Sequence, residues 1–358
     1  MQLKRTIVSL LPVFAIVVAL VLGAGLILMT GVNPINAYYA LFLGAFSDIY
    51  SINTTLIKTI PLIFAGLGVA LAFRAGFFNV GAEGQLYLGG VGATIVGLHF
   101  HGLPTGLHIS LGFMAAFLFG GLWAVIPGFL KIRHGVNEII TCLFMNFIGI
   151  ITVTYLTTGV LLEAGAPAPM SPEIAPSAKL PIIIPNTDIH IGLVLSVALA
   201  LVMSMVLKKT TMGYQIKFIG QNPGACRYAG MNLVKSMIII TLVSGGLAGL
   251  AGASEIMGIR HRLYAHFSPG YGWDAIIIAF LTKSHPLGIV VASLFFGALR
   301  SGAGMMQRLT GVPVNVVFAI HGLVILFVAI GLALPEWRVR WFARNSAALN
   351  ISIKGNQR

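Results

Sequence analysis

Long apolar runs separated by short polar clusters dominate the chain, lying near 6–29, 53–73, 80–98, 107–130, 138–160, 189–207, 236–256, 272–282, 286–300 and 313–334. A helix needs about 20 apolar residues to cross a hydrocarbon core of about 30 Å. The pattern therefore predicts an all-α polytopic membrane protein of about ten transmembrane helices, the eighth and ninth being the shortest. Residues 161–188 carry six of the chain's 16 prolines, which forbid a continuous helix and predict an extended surface excursion. That excursion reads equally as an external loop near a pore mouth or as a tether between two spans.

Two of the apolar runs are joined to their neighbours by polar, glycine-rich breaks. The second span passes without a clean boundary into Arg74-Ala-Gly-Phe-Phe-Asn-Val-Gly-Ala-Glu-Gly-Gln85, and a second break is His266-Phe-Ser-Pro-Gly-Tyr-Gly-Trp-Asp274. Polar groups at lipid depth are costly, and broken backbone is tolerated only beside protein or water. Asn79, Glu83 and Gln85 are thus expected to face a cavity; the competing reading is a tight cytoplasmic turn at Arg74 to Glu83. Each break precedes a helix start, where free N–H groups and the dipole favour polar or anionic groups. Placed on opposite sides of the membrane, the two breaks have the pattern of halves inverted relative to each other, about spans 2–5 and 7–10, although sequence identity between the halves is slight. Small residues from Gly245 to Gly252 predict closely packed helices. Lys58, Asn146, Ser244, Glu255, Asn315 and His321 also fall inside spans, where polar groups first need partners on other helices.

Composition sharpens this picture. With 57% hydrophobic and 9% charged residues and a mean hydropathy of +0.94, the chain is too apolar for an ordinary soluble domain. The longest stretch outside the spans is 28 residues, too short for a soluble domain of about 100 residues. An energy source or soluble receptor must then sit on other chains.

The formal net charge of +13 does not indicate nucleic-acid binding, because the basic residues are not gathered on one solvated face. They report topology instead. With the N-terminus inside and all ten runs crossing, sixteen of the 22 Lys and Arg fall inside, five (Lys179, Arg260, Arg262, Arg300, Arg308) outside, and Lys58 within a span. That bias places both termini in the cytoplasm. Lys4 and Arg5 ahead of 6–29, with no small-x-small cleavage site, mark a retained first span. Residues 1–334 then form the transmembrane domain, with 6–29 at its periphery, and the basic tail 335–358 is a membrane-surface anchor. Cys142 and Cys226, 84 residues apart, fit no disulfide or zinc spacing. His99, His101 and His108 cluster at an outer end, but with no carboxylate among them and no His-Glu-x-x-His motif no metal site is expected.

Between the sixth and seventh spans lies Gly220-Gln-Asn-Pro-Gly-Ala-Cys-Arg-Tyr-Ala-Gly-Met-Asn232. Asn222 suits an N-cap, Pro223 the first helical position and Gly230 the left-handed residue after the last turn. A helix of about seven residues, roughly 10 Å long, is marginal alone and must lie against something. Gly224, Ala225 and Ala229 allow close insertion into a groove, while Arg227 and Tyr228 offer anchors. The spacing suits a docking helix and a helix lying on its own bundle equally.

Three strings together carry a resemblance: Phe78 to Gln85 (Phe-Asn-Val-Gly-Ala-Glu-Gly-Gln), Gly135 to Asn146 (Gly-Val-Asn-Glu-Ile-Ile-Thr-Cys-Leu-Phe-Met-Asn) and Gly220 to Met231. In order and spacing, over roughly residues 50–334, the chain resembles the permease subunits of bacterial ATP-binding-cassette importers for simple sugars and nucleosides. Within that family its Phe-Asn-x-Gly-x-Glu-Gly-Gln form is most similar to nucleoside (guanosine-type) permeases. The resemblance implies a type II importer-like bundle in the bacterial cell membrane, paired with a second permease chain, identical or not. It also implies two cytoplasmic ATPase chains and an extracytoplasmic substrate-binding lipoprotein. ATP and magnesium would sit on the ATPases, with no cofactor on this chain. Gly220, Asn222, Pro223, Gly224, Ala225, Arg227, Tyr228 and Gly230 match the ATPase-coupling segment; Asn79, Glu83 and Gln85 match the translocation-path motif, with Phe78, Asn146 and Trp273 as further candidates for the substrate path. Lys283-Ser-His-Pro286 departs from the family, whose members more often have a glycine-rich turn there.

No Gly-x-x-x-x-Gly-Lys-Ser/Thr string occurs, so the chain cannot cradle ATP in that manner and reads as a transport subunit rather than an enzyme. An ion-coupled secondary transporter would also suit inverted halves, but would leave the capped cytoplasmic helix unexplained. Ribose-type sugars and branched-chain amino acids stand as alternative substrates to nucleosides.

Overall fold

The computed structural model describes residues 17–320 and, beyond them, positions 322, 323, 326, 327 and 330. The start of the first predicted span, His321 and the tail 335–358 lie outside the described residues. Among those described, the chain is helical, with two isolated β-bridges and no named strand. It divides into two compact units, one formed by the chain up to Leu41 with Ala303 onward, the other by Phe42–Gly302.

In the first unit, α1 (Val17–Met29) bends by 112° into α2 (Pro34–Phe46). Their core is apolar: Ile27, Ala37, Ala40, Met306, Val317 and Ile320 bury one another, and the Tyr38 hydroxyl donates to Leu20 O at 2.6 Å.

The second unit holds α3 (Ile49–Arg74), α4 (Ala82–His99), α5 (Thr105–His134), α6 (Glu138–Thr158), α7 (Gly192–Lys209), α8 (Thr211–Gln221), α9 (Pro223–Tyr228), α10 (Leu233–Glu255), α11 (Tyr271–Leu281) and the larger part of α12 (Pro286–Thr310). Its centre is α10, which lies against α3, α4 and α5. The small-residue run of α10 makes this possible: Gly249 meets Gly89 of α4 and the Ala116 carbonyl of α5 backbone to backbone, the close approach by which helices associate in lipid. Apolar side chains such as Met114, Leu122, Phe144, Phe147 and Ile151 point outward on α5 and α6, as lipid or another membrane chain requires.

Six helices among the described residues (α3, α5, α6, α7, α10 with its continuation to Arg260, and α12) are long and apolar enough to cross a membrane, or seven with α1 and α2 taken as one span. Among the described residues fewer than the ten predicted crossings are therefore found, and the last predicted span, 313–334, lies partly outside them. α4 is too polar to qualify, yet nearly all of it is buried by other helices, so lipid never solvates it. α11, with 11 residues, is about 16 Å long, half a hydrocarbon core. α12 does not end at 300 but runs to Thr310, so Arg300 and Arg308, expected in an external loop, lie within a helix.

Two further differences concern connections. Residues 161–188 are free of α-helix, as their prolines dictate, but they are fastened down. Ser171 N donates to Leu263 O, Ile174 N to His261 O and Leu180 N to Met257 O, and Arg262 pairs with Glu163 and Glu173. The loop between α7 and α10 holds one helix more than predicted, since α8 precedes α9 and buries Gly213, Ile216 and Ile219 along one face.

Candidate functional site

The site is built from the two breaks. α3 stops at Arg74 because Gly76 takes φ +75° and Phe77 N returns to Ala72 O, a left-handed termination. This turn belongs to one end of the helix bundle. Lys131 near the end of α5 donates to Gly76 O at 3.1 Å and pairs with Glu138. Arg74 Nε donates to Ser284 O at 2.8 Å. Lys208 and Arg74 both act electrostatically on His285, so this is a basic end. Arg74 to Gly76 is a tight turn, and the chain then continues as non-helical backbone, with Asn79 N and Val80 N donating to Phe77 O and Phe78 O at 3.0 Å, before α4 begins at Ala82.

Non-helical backbone inside the bundle must find partners outside a helix, and the polar side chains of the break supply several of them. Asn79 and Gln85 form a reciprocal amide pair at 2.9 and 2.8 Å. Asn79 Nδ2 also donates to Ser244 Oγ at 2.8 Å, which passes on to Gly68 O at 2.7 Å. Asn79 Oδ1 accepts from Gly81 N as well, at 3.0 Å, so both donors and both lone pairs of this amide are engaged. Asn146, from α6, accepts from Gly84 N and donates to Val80 O, both at 2.8 Å. Asn79, Gln85 and Asn146 are all buried. Where sequence reasoning expected Asn79 and Gln85 to face a cavity, they hold the break in shape. Phe78 is apart from them: it is exposed and joins Phe73 and Phe280, at centroid distances of 5.3 and 6.3 Å.

The second break enters from the opposite end of the bundle, where α10 gives way to a π-turn, Ile256–Arg260. Ser268 Oγ accepts from Gly270 N and Tyr271 N at 3.2 and 3.3 Å, and Tyr87 OH donates to Ser268 O at 3.4 Å. Arg300 reaches across from α12: its Nε bonds Asp274 Oδ2 at 2.5 Å, and its terminal nitrogens donate to Pro269 O at 3.1 Å and Gly270 O at 3.4 Å. Both ends of the Arg300–Asp274 pair are 7% exposed. Trp273 is half-buried beside Gly270.

The breaks begin at opposite ends but their helices start together. α11 runs alongside α3 and in the same direction, with Ile278 by Gly66 and the Arg74–Ser284 bond beyond its end. α4 runs the other way, its Val96 carbonyl lying 3.2 Å from His108 Nε2 at the start of α5. At the common origin, Glu83 Oε2 accepts from Gly272 N at 2.6 Å, and a Cβ on Gly272 would sit 2.5 Å from Glu83 Cα. A buried carboxylate therefore lies between two helix N-termini, where both dipoles favour it. The sequence had shown Glu83, Trp273 and the glycines of each break, but not Arg300, whose charge marked the end of a span. The run of small residues after it, Ser301 to Gly304, was the available sign that the helix continued.

The predicted coupling segment also has a defined shape. α9 is capped by Asn222, whose side chain accepts from Ala225 N at 3.0 Å, and Gly230 takes φ +75°. Cys226 is buried and fastens the helix, its carbonyl accepting from Met231 N, while Pro223, Gly224, Arg227 and Tyr228 are exposed, Tyr228 to 96%. Ala225 is half-buried between them. Gly220, ahead of α9, touches the first break: a Cβ there would overlap the Arg74 carbonyl, and Gly76 packs against the Gly220 backbone.

Comparison with known proteins gives the family. The chain is 36% identical to a guanosine ABC transporter permease protein of Bacillus subtilis over 92% of its own length and 95% of that protein's. It is 35% identical to a glucose ABC transporter permease protein of Haloferax volcanii, over 92% and 89%. Identity to a nucleoside ABC transporter permease protein of Lactococcus lactis is 31%, over 91% and 92%. No solved structure matches the chain. The family pattern described as branched-chain amino acid transport system / permease component matches residues 51–330, and the chain belongs to that family of membrane permeases.

Proposed function

We propose that the chain is the permease subunit of an ATP-binding-cassette importer and that it carries nucleosides into the cytoplasm. The observation that supports this best is the physical link from an exposed helix to the interior of the bundle. α9 presents Pro223, Gly224, Arg227 and Tyr228 outward, and Gly220 just before it lies on the Arg74–Gly76 turn from which the first break departs. A force on α9 can thereby reach the turn from which the segment carrying Asn79, Glu83 and Gln85 departs.

In this reading the basic end faces the cytoplasm, in keeping with the charge bias of inner loops, and both termini lie on that side of the cell membrane. Two ATPase chains bind α9, a second permease completes the passage, and an extracytoplasmic lipoprotein delivers substrate. ATP and magnesium are held by the ATPases and no cofactor by this chain. Closure of the ATPases stabilises one arrangement of the bundle over another, which is all that coupling requires. The two breaks, entering from opposite ends and starting antiparallel helices side by side, suit halves of inverted topology with the path between them. That path runs by Phe78, Asn79, Glu83, Gln85, Asn146 and Trp273, and the Asn79–Gln85 amide pair is the part that opens.

Nucleosides are favoured by the names of two of the relatives and by a centre of amides and compensated charges, which suits a neutral polar solute. A simple sugar is the second reading, supported by the glucose-transporting relative. The test is uptake of labelled guanosine, other nucleosides and glucose by cells expressing the chain with its neighbouring transport subunits, with and without a hydrolysis-dead ATPase. Accumulation that persists without nucleotide hydrolysis would make the chain an ion-coupled carrier instead.

A further inference from the structure

Beyond the two breaks, the second unit buries one carboxylate that its fold does not satisfy. Glu255 is the last residue of α10 and 3% exposed. Its Oε1 bonds Arg260 Nε at 3.1 Å, while its Oε2 has no hydrogen-bond partner although fully buried. Five α-helical residues turn the chain by about 500°, leaving positions i and i+5 on different faces. The pairing therefore depends on the π-turn between them, in which His261 N reaches back to Ile256 O at 2.7 Å. Inserted π-turns commonly re-aim side chains at functional sites.

The surroundings of Glu255 identify the kind of group it would meet. Lys58 of α3 and Arg300 of α12 act on it electrostatically along with Arg260, and it acts in turn on the buried Tyr271 at the start of α11. Asp274 and Glu83 complete the cluster around Arg300. Three basic side chains thus stand among three acidic ones. What is left over is an acceptor oxygen beside a guanidinium that has five N–H donors and gives one of them to Glu255. Arg260 is exposed, at the end of the bundle where the second break enters. An acceptor and donors side by side match adjacent hydroxyls on a neutral ring.

We propose that Glu255, aimed by Arg260 across the π-turn, accepts a hydroxyl of the passing solute while Arg260 donates to its neighbour, so that the pair selects for the ribose diol. This rests on the nucleoside reading above and adds the residues that recognise the sugar. A site built to bond a hydroxyl rejects an analogue lacking it, because its own buried groups are then left unpaired.

The experiment is competitive uptake of guanosine against 2′,3′-dideoxyguanosine by the complete importer carrying wild-type chain, Glu255→Gln or Arg260→Gln, at matched membrane levels. Wild type should prefer guanosine, and each variant should reduce that preference at least fivefold. Arg260→Gln, on the exposed side of the pair, serves where Glu255→Gln does not reach the membrane. Parallel loss of both substrates with the ratio unchanged would assign the pair a structural role and overturn the inference while leaving nucleoside transport standing. A wild type that takes up nucleosides but does not distinguish the two overturns it equally. Uptake of neither nucleosides nor sugars by the wild type would overturn the reading beneath it and the inference together.

Discussion

The carboxylate of Glu83 accepts the amide of Gly272 at 2.6 Å, so the first turn of one broken segment caps the first turn of the other across 189 positions of sequence. An N-terminal amide of α11 has no partner within its own helix, and the side chain that satisfies it comes from α4.

Removing that acceptor leaves a buried donor unpaired, which costs about 1–3 kcal/mol, more where the acceptor is charged. Glu83→Ala is expected to lower the unfolding midpoint of the purified chain and to abolish uptake, whereas Glu83→Gln, which keeps an acceptor oxygen, retains most of the midpoint. Thermal unfolding in detergent compares the two, and equal losses would show that the carboxylate charge, not the bond to Gly272, is what matters. Gly272→Ala is the severer change, since its Cβ would lie 2.5 Å from Glu83 Cα and only movement of one helix backbone can relieve the overlap. It should prevent stable accumulation in the membrane.

Two glycines of the predicted coupling segment should behave differently. A Cβ on Gly220 meets the Arg74 carbonyl, while one on Gly224 meets nothing nearer than Asn222 Oδ1 at 3.3 Å. Gly220→Ala should therefore disturb the turn that begins the first break and reduce thermal stability by more than about 1 kcal/mol. Gly224→Ala should leave stability within about 0.5 kcal/mol of wild type, the usual range for surface changes, and act on partner-driven uptake alone. Identical unfolding curves for both variants would contradict the contact at Gly220.

What the sequence revealed follows the range of the forces involved. The ends of α9 were legible because Asn222, Pro223 and Gly230 act within a few residues of themselves. The packing of α10 was legible because small residues in a span have one common use. α8 was not: Gly213, Ile216 and Ile219 bury one face, but the segment is too polar for a hydropathy reading to separate it from a loop. Arg300 was read as the end of a span because its partners, Asp274 and the carbonyls of Pro269 and Gly270, are brought to it only by the tertiary fold. For the same reason the polarity of Asn79 and Gln85 announced a break in the helix without showing that the two amides would bind each other.

Arg227 and Tyr228 are exposed and belong to no hydrophobic core, so truncating them should not alter folding. Arg227→Ala and Tyr228→Ala are expected to leave the unfolding midpoint within about 0.5 kcal/mol of wild type. Each should weaken capture of the ATPase by tenfold or more if it is an anchor of the interface, where aromatic and arginine truncations cost about 2 kcal/mol or more. Co-purification of the ATPase with each variant, set beside ATP-driven uptake, measures this. Full capture and full uptake by the double variant would remove α9 from the coupling route.

His190, in the turn before α7, gives the fold an acid-side limit. Its ring is 1% exposed, and Nδ1 accepts the Gly192 amide at 3.1 Å, which it can do only unprotonated. Burial, with a smaller push from His261 and against the pull of Asp188, lowers its pKa to about 4, while in the unfolded chain an ordinary histidine titrates near 6.5. Because the folded value is the lower one, the unfolded chain binds the additional proton. The stability contributed by neutral His190 is complete above about pH 6.5 and is lost as the pH falls toward 4, by roughly 1.4 kcal/mol per pH unit within that window. His261 is shifted in the same direction and adds slope of the same sign, whereas Glu173, held low by Lys179, contributes only further into acid. The unfolding midpoint of the purified chain should therefore drop between pH 7 and pH 5, and His190→Asn, whose side-chain oxygen can take the Gly192 amide without titrating, should flatten the drop. A wild-type midpoint that is level over that range would mean that the ring is not held neutral by the fold.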